Sequence, residues 1–195
     1  MLSSMPPSTD ARAIVFGTGN FARVLAHYLS HDLSAFVVDE PFRATPTLLG
    51  KPVLVWSEIG PADGPLFAAV GYSNRNRNRE AVFARARAAG FRQPGLGGVN
   101  EGTFVFPGVI LEPYVEIGVN VVLWAGAHVA HDTVIGDHVF VSPQATIGGN
   151  CRIGERSFIG LNATLRDGIT IGAECIIGAG AVVLEDVPAG TVVTR

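Results

Sequence analysis

From Val105 to Val183 an aliphatic residue returns at every sixth position: Val105, Leu111, Ile117, Leu123, Val129, Ile135, Val141, Ile147, Ile153, Ile159, Leu165, Ile171, Ile177 and Val183. Glycine follows directly in seven of these hexads, as in Ile135-Gly136 and Ile171-Gly172. Two positions before each aliphatic, from Val109 to Ala181, the residue is small or β-branched. A period of six fits neither an amphipathic helix nor a two-faced strand. It predicts a hexapeptide parallel β-helix. With three flat faces per coil, one coil takes three hexads, and the series spans roughly four and a half coils, a prism about 20 Å tall at the spacing of parallel strands. Side chains one coil apart then lie above one another, so Pro113, His131, Gly149 and Asp167 fall in one vertical column. Val99 already sits in the same register, so the β-helix is expected to begin near it.

The first half has a different rhythm. Residues 11–16 form a short apolar strand that runs into Gly17-Thr18-Gly19-Asn20. Phe21 to Leu29 has helical spacing, with Phe21, Val24, Leu25, Tyr28 and Leu29 on one side. Ala35–Val38 reads as a second buried strand closed by Asp39, Val53–Trp56 and Leu66–Val70 as further strands, and Asn74–Ala89 as a helix stopped by Gly90. Strands alternating with helices argue for a small parallel α/β domain. The expected organisation is a disordered leader at 1–10, a Rossmann-like domain at 11–92 and a β-helix domain at 93–195, with Gln93–Asn100 as the connection.

Composition excludes several classes. The net charge is −3 and no face is basic enough to suggest a nucleic-acid footprint. No apolar run reaches the length of a membrane span, and the N-terminus lacks a signal pattern, so a cytoplasmic protein is expected. Cys151 and Cys175 occupy the small inward position of the repeat on different faces and are expected to be buried free thiols.

Three of the five histidines, His128, His131 and His138, fall in one short segment. His128 and His138 read equally well as surface polar residues. His131 is followed by Asp132, and Gly149 stacks one coil above it. An imidazole accepts a proton near neutral pH. A glycine beside it admits a substrate closely, and its N–H can face a developing oxyanion. Base and donor one coil apart suit acyl transfer. A zinc site of the kind held by three histidines in trimeric β-helix carbonic anhydrases is disfavoured, because no further histidine lies one or two coils away and both cysteines point inward. In the first domain, Gly17-Thr18-Gly19 follows a strand, opens a helix and precedes Asp39, a context that signals nucleotide binding. Ala22 stands at the third glycine position, and the domain's size favours a mononucleotide. A purely structural strand–helix turn is the alternative. The alternation NRNRNR from Asn74 reads as a solvated helix face whose start could also bind phosphate.

Taken together, GTGN, the strand ending VVD, the segment AAVGYSN and the repeat segment HDTVIGDHVFVSPQATIGGNCRIG resemble bacterial sugar acyltransferases, the sialic-acid O-acetyltransferase-like and bacillosamine-pathway N-acetyltransferase-like proteins. The resemblance covers nearly the whole chain from residue 11. It implies a Rossmann-like nucleotide-sugar domain followed by a left-handed parallel β-helix, a homotrimer with active sites between subunits, and acetyl-CoA as cosubstrate without a metal. It implies His131 as general base, Asp132 as the acid orienting it, and Gly149 as backbone donor to the acetyl carbonyl. Leu161 and Ala179 match the coenzyme A groove, and Gly17, Gly19, Asn20 and Asp39 match the nucleotide-sugar pocket. Successive residues on an extended strand point to opposite sides, so a His131–Asp132 pair requires a bent backbone there. Phe140 and Asn20 depart from the family by standing where amino-sugar acetyltransferases often carry histidine, and the chain ends in TVVTR without the family's V-G-x-P-A-K segment.

The expected activity is acetylation of a hydroxyl or amine of a nucleotide-linked sugar for surface polysaccharide or glycan synthesis. The alternatives are an N-acetyltransferase specific for a nucleotide 4-amino-sugar and a non-catalytic β-helix scaffold that only binds a nucleotide sugar.

Overall fold

The computed structural model describes residues 12–194; the expected leader at 1–10 lies outside the described residues. The chain forms two compact units. Among the described residues, one comprises the chain up to Gly71 together with Asn78–Pro94, and the other comprises Tyr72–Arg77 together with the residues from Gly95 on. The short segment Tyr72–Arg77 therefore groups with the repeat rather than with the α/β half around it.

The α/β unit is built on strands β1 (Ala13–Phe16), β2 (Leu33–Val38), β3 (Thr47–Leu48), β4 (Lys51–Val55) and β5 (Leu66–Ala68), with helices α1 (Asn20–Leu29) and α2 (Arg77–Ala88). Strand order is β3-β4-β2-β1-β5, parallel except for the β3–β4 pair. β1 and β2 are almost wholly buried, as expected for a parallel sheet covered on both sides. The chain leaves β1 toward β2 on one side and returns as β5 on the other, which creates a switch point at the carboxyl ends of these strands. Gly17 is required there. Its φ is +117°, and a Cβ would stand 2.8 Å from the Ala69 carbonyl oxygen.

The second unit is a left-handed parallel β-helix of two-residue strands. Its three faces are the stacks Ile110–Leu111 through Val182–Val183, Glu116–Ile117 through Thr170–Ile171, and Phe104–Val105 through Val192–Val193. Every pairing inside Phe104–Val183 joins residues one coil apart, for example His128 with Thr146 and Val129 with Ile147. Apart from the exposed Leu111, the ladder aliphatics and the small apolar residues two positions before them form one continuous core, both cysteines included and both free. Regular strands begin at Phe104–Val105. Val99 is not in a strand, and the nearby Leu96 bridges to Phe104 only eight residues on, not one coil apart, so the β-helix begins at Phe104 rather than near Val99.

Each corner turns by the same device. The third residue after every ladder aliphatic from Val105 to Ile177 has φ between 52° and 78°, at Gly108, Tyr114, Asn120, Gly126, Asp132, His138, Gln144, Asn150, Arg156, Asn162, Gly168, Glu174 and Gly180. Glycine, asparagine and aspartate adopt this left-handed conformation most cheaply. At the corner preceding the first face, the inward small residue donates its N–H to the carbonyl three residues back, as in Ala127 to Trp124 and Ala163 to Gly160. At the other two corners buried hydroxyls close gaps. Thr133 Oγ1 accepts from Cys151 N–H (3.2 Å) and donates to the Gly148 carbonyl (2.9 Å), and Thr103 and Ser157 repeat the arrangement in other coils.

Two expectations about the Asn/Arg alternation need correction. The helix begins at Arg77, not Asn74, because Asn74, Arg75 and Asn76 all have positive φ (52°, 49° and 61°). Nor is the segment a solvated face. Asn76 is fully buried, and its amide donates to the carbonyls of Arg156 (3.0 Å) and Ser157 (3.2 Å), while Arg75 donates to the Gly190 carbonyl (3.2 Å). These bonds to repeat carbonyls hold the left-handed turn against its intrinsic cost. Arg79 is buried too, and loss of solvation pulls its guanidinium down to about 9. Tyr72 stacks on Phe158 (ring centroids 4.1 Å apart) and meets Phe140 edge-on (5.7 Å).

Replacing Thr133 by Val keeps the shape but leaves a buried N–H and a buried carbonyl unmatched. We predict a loss of about 1–3 kcal/mol in urea unfolding, with Thr133→Ser recovering most of it.

Candidate active site

The corner between the first and second faces carries the residues that the column rule aligned. His131 precedes Asp132, whose φ is +58°. That corner supplies the bend the pair needs, and His131 Nδ1 lies 2.8 Å from Asp132 Oδ2. Gly149 stacks directly above. A Cβ placed on it would stand 2.8 Å from His131 Nε2 and 2.9 Å from Cε1, so the imidazole occupies the space that any other residue at 149 would fill. Gly149 is buried, and its N–H has no backbone acceptor among the described residues, while the flanking Gly148 and Asn150 N–H groups are bonded to Leu165 and His131 carbonyls. His131 and Asp132 are both about half exposed. The arrangement is an oriented imidazole with one nitrogen held and the other open, beside an unspent backbone donor. A general base and an oxyanion donor need this geometry.

The peptide of His131 is held as tightly as its ring. Its carbonyl accepts from Asn150 N–H (2.9 Å) in the coil above. Its N–H donates to Glu112 Oε2 (2.9 Å) in the coil below, and Glu112 Oε1 is 2.8 Å from His128 Nε2. Those contacts, the His131 N–H first and His128 next, hold the Glu112 carboxyl below the usual glutamate range. Sequence reasoning missed Glu112. The signal was available, because Glu112 follows directly on the Ile110–Leu111 strand that pairs with His128–Val129, which puts the carboxylate one coil beneath the 128–131 segment.

Leu161 and Ala179 are exposed and stack one coil apart, joined through the Gly180 N–H to Leu161 carbonyl bond (2.7 Å). They sit at the corner between the third and first faces, not at the corner of His131 and Gly149. One chain therefore does not bring the two sets together. Phe140 is buried in an aromatic column on the third face with Phe158 and Trp124. His138 Nδ1 lies 2.9 Å from Asn120 Nδ2. Among the described residues no group of three or more His, Cys, Asp or Glu is arranged to hold a metal ion.

In the α/β unit a cavity of about 580 Å³ opens at the switch point, lined by Gly17, Thr18, Asp39, Phe42, Asn78 and Arg85 among others. Gly17 and Asp39 of the expected nucleotide-sugar set line it; Gly19 and Asn20 do not, being exposed at the start of α1. Arg85, which sequence reasoning also missed, donates to Asp39 Oδ1 (2.8 Å), and its guanidinium carbon lies 3.9 Å from the Trp56 ring centre. Its helical spacing with Asn78, Ala81 and Val82 was the available signal.

Comparisons with known proteins show what the chain as a whole is similar to. The family model described as bacterial transferase hexapeptide (six repeats) matches residues 114–149, 132–167 and 150–185. No curated protein sequence matches. Among solved structures, the acetyltransferase domain of PglB from Neisseria gonorrhoeae FA1090, in complex with acetyl coenzyme A, is 28% identical with a TM-score of 0.85, over 95% of this chain and 97% of that one. A His→Ala variant of GDP-perosamine N-acetyl transferase from Caulobacter crescentus, in complex with CoA and GDP-perosamine, is 30% identical with a TM-score of 0.83, over 93% and 92%. WeeI from Acinetobacter baumannii AYE is 26% identical with a TM-score of 0.83, over 95% and 97%.

Gly149→Ala tests the stacking. The colliding atoms are the far end of a side chain, so the fold is expected to survive while the imidazole swings away. The expected outcome is a thermal melt within about 3 °C of wild type with turnover reduced at least about a hundredfold.

Proposed function

The chain belongs to the bacterial sugar acyltransferases of the hexapeptide-repeat superfamily, and we propose that it transfers the acetyl group of acetyl-CoA to a nucleotide-linked sugar with His131 as general base. The observation that carries this reading is the His131 imidazole, fixed through Nδ1 by Asp132 and left open at Nε2 against Gly149. His131 Nε2 takes the proton of the acceptor as its oxygen or nitrogen attacks the thioester carbonyl. The Gly149 N–H donates to the oxyanion of the tetrahedral intermediate. Collapse expels the thiolate of coenzyme A, which recovers the proton from His131. No covalent enzyme intermediate is needed, and Asp132 keeps the ring in the tautomer that leaves Nε2 basic.

The cavity at Gly17 and Asp39 is the proposed nucleotide end of the acceptor site. The likeness to a transferase crystallised with CoA and GDP-perosamine supports both the cosubstrate and the acceptor class. It also favours an amine as the acceptor. A hydroxyl is the second reading, favoured by Phe140 and Asn20. An ammonium sheds one proton before it attacks and another afterwards, whereas a hydroxyl sheds one, which the single His131–Asp132 pair can take. A homotrimer accounts for Leu161 and Ala179: their corner on one subunit would face the His131 corner of the next and complete the coenzyme A groove.

Among the described residues no helix is long and apolar enough to cross a membrane.

Two measurements test the proposal. In a thiol-release assay with acetyl-CoA and a nucleotide amino sugar, His131→Ala is expected to lose about 10²–10⁴ in kcat; turnover near wild type would remove His131 from the mechanism. A thermal-shift screen of UDP-, GDP- and dTDP-linked sugars is expected to give one selective rise of about 5–10 °C at a hundredfold excess over Kd. Asp39→Ala should abolish that rise while leaving the response to acetyl-CoA intact.

A further inference from the structure

We propose that Glu112 is a positioning residue for His131, a carboxylate clamp that spans two coils and fixes the peptide carrying the imidazole, with His128 as its anchor. The proposal rests on the assignment of His131 as the base.

Fixing a ring at a corner requires control of both its torsion and its backbone. Asp132 supplies the first through Nδ1. The backbone is the harder problem, because this corner carries a residue in the left-handed region and its outward N–H groups lack partners inside the coil. Gly149 and Asp167, one and two coils above in the same column, show the default: neither N–H has a backbone acceptor among the described residues. The N–H of His131 departs from that default. It donates to Glu112 Oε2 at 2.9 Å.

Glu112 is itself placed by the repeat. Its own N–H bonds to the Val129 carbonyl (3.0 Å), so its backbone lies directly under the strand His128–Val129. A glutamate on an open surface would wander among rotamers. Here Oε1 is held by His128 Nε2 at 2.8 Å, which turns Oε2 up to the His131 N–H. One side chain thus ties the start of the segment to its end, and the carbonyl of His131 is tied upward by Asn150. A hydrogen bond donated to an ionised carboxylate is about twice as strong as a neutral one. That strength suits a site whose competitor is bulk water. His131 is left with one uncommitted polar atom, Nε2, the one that faces Gly149. A catalytic group that wanders by about 1 Å loses on the order of a hundredfold in rate, which gives the clamp a purpose beyond stability.

The test uses full-length protein. Glu112→Ala should accelerate hydrogen exchange at the His131 amide by about tenfold or more, the scale of one charged hydrogen bond. It should also broaden or shift the His131 ring nitrogen resonances, with the melting temperature nearly unchanged. Glu112→Gln keeps an acceptor for the amide and should restore both signals. His128→Ala should move the amide in the same direction by a smaller factor. In the thiol-release assay, Glu112→Ala should lower kcat with little change in KM for acetyl-CoA, and Glu112→Gln should rescue it. His131 amide and ring signals that stay at wild-type values in Glu112→Ala would overturn the clamp. A His128→Ala variant with no effect on the amide would remove His128 from it. The magnetic-resonance measurements need no acceptor sugar, so wild-type protein that shows the clamp yet acetylates no sugar would sink the proposed function and leave the clamp standing.

Discussion

Coil-on-coil pairing is the constraint on which the repeat unit depends. Each strand contributes two residues, too few to be stable alone, so every strand exists only because another lies one coil above or below it. The pairing forces identical geometry on every coil, and the corners show the consequence. Thirteen successive hexads place a residue in the left-handed region, nine of them not glycine. Such a residue costs energy wherever it stands. It is tolerated because a corner that turned differently would throw the next strand out of register with its neighbour and open the core that runs from Val121 to Val187.

The same strained corner builds the candidate site. On a straight strand His131 and Asp132 would face opposite sides. At the corner their side chains converge to 2.8 Å. Asparagine and aspartate bear a positive φ more cheaply than other side chains, so an acid at the left-handed position serves the fold and the imidazole at once. The column rule contributes the second component. Gly149 is not needed for its torsion, since its φ lies outside the positive range. What fixes glycine there is the His131 ring in the space of its missing side chain. Two glycines of the chain thus have different causes: Gly17 answers to the backbone of Ala69, and Gly149 to the side chain of His131.

Much of this was legible in the sequence because the repeat converts spacing into position. The six-residue period located the core, both buried thiols and the alignment of His131 under Gly149. The resemblance to sugar acyltransferases singled out Asp132, and the need for a bend at the pair was met by the corner. The failures have a common physical origin. Asn74–Asn76 looked like the first turn of a helix because Asn and Arg are unexceptional there. Their left-handed turn is held instead by repeat carbonyls 80 and 81 residues away in the chain for Asn76 and 115 for Arg75, which no local propensity encodes. Arg85 drew no notice within its helix, yet Asp39 and Trp56 hold it at the cavity. Glu112 drew no notice either, because its role depends on His128 and the His131 N–H. In each case the deciding partner lies far off in sequence and outside the apolar pattern that periodicity reports.

The third face shows that the same stacking rule holds information beyond the core ladder. Along it the outward residues one coil apart are Phe104, Val122, Phe140, Phe158 and Ile176, all apolar, whereas the second face presents Glu116, Val134, Arg152 and Thr170. A β-helix face that met only water would have no reason to repeat large apolar groups on its outer side, and four of those five residues are buried. The segment Tyr72–Arg77 accounts for part of that burial, through Tyr72 on Phe158 and Phe140 and through Asn76 on the carbonyls at Arg156 and Ser157. Phe140 therefore has a reason to be aromatic that is independent of catalysis. The family resemblance implies a histidine here in amino-sugar acetyltransferases; this chain carries a member of a packed aromatic column. A histidine introduced at 140 would place a polar ring among Phe158, Trp124 and Tyr72, so the difference from those relatives involves the packing of the third face as well as the chemistry of the acceptor.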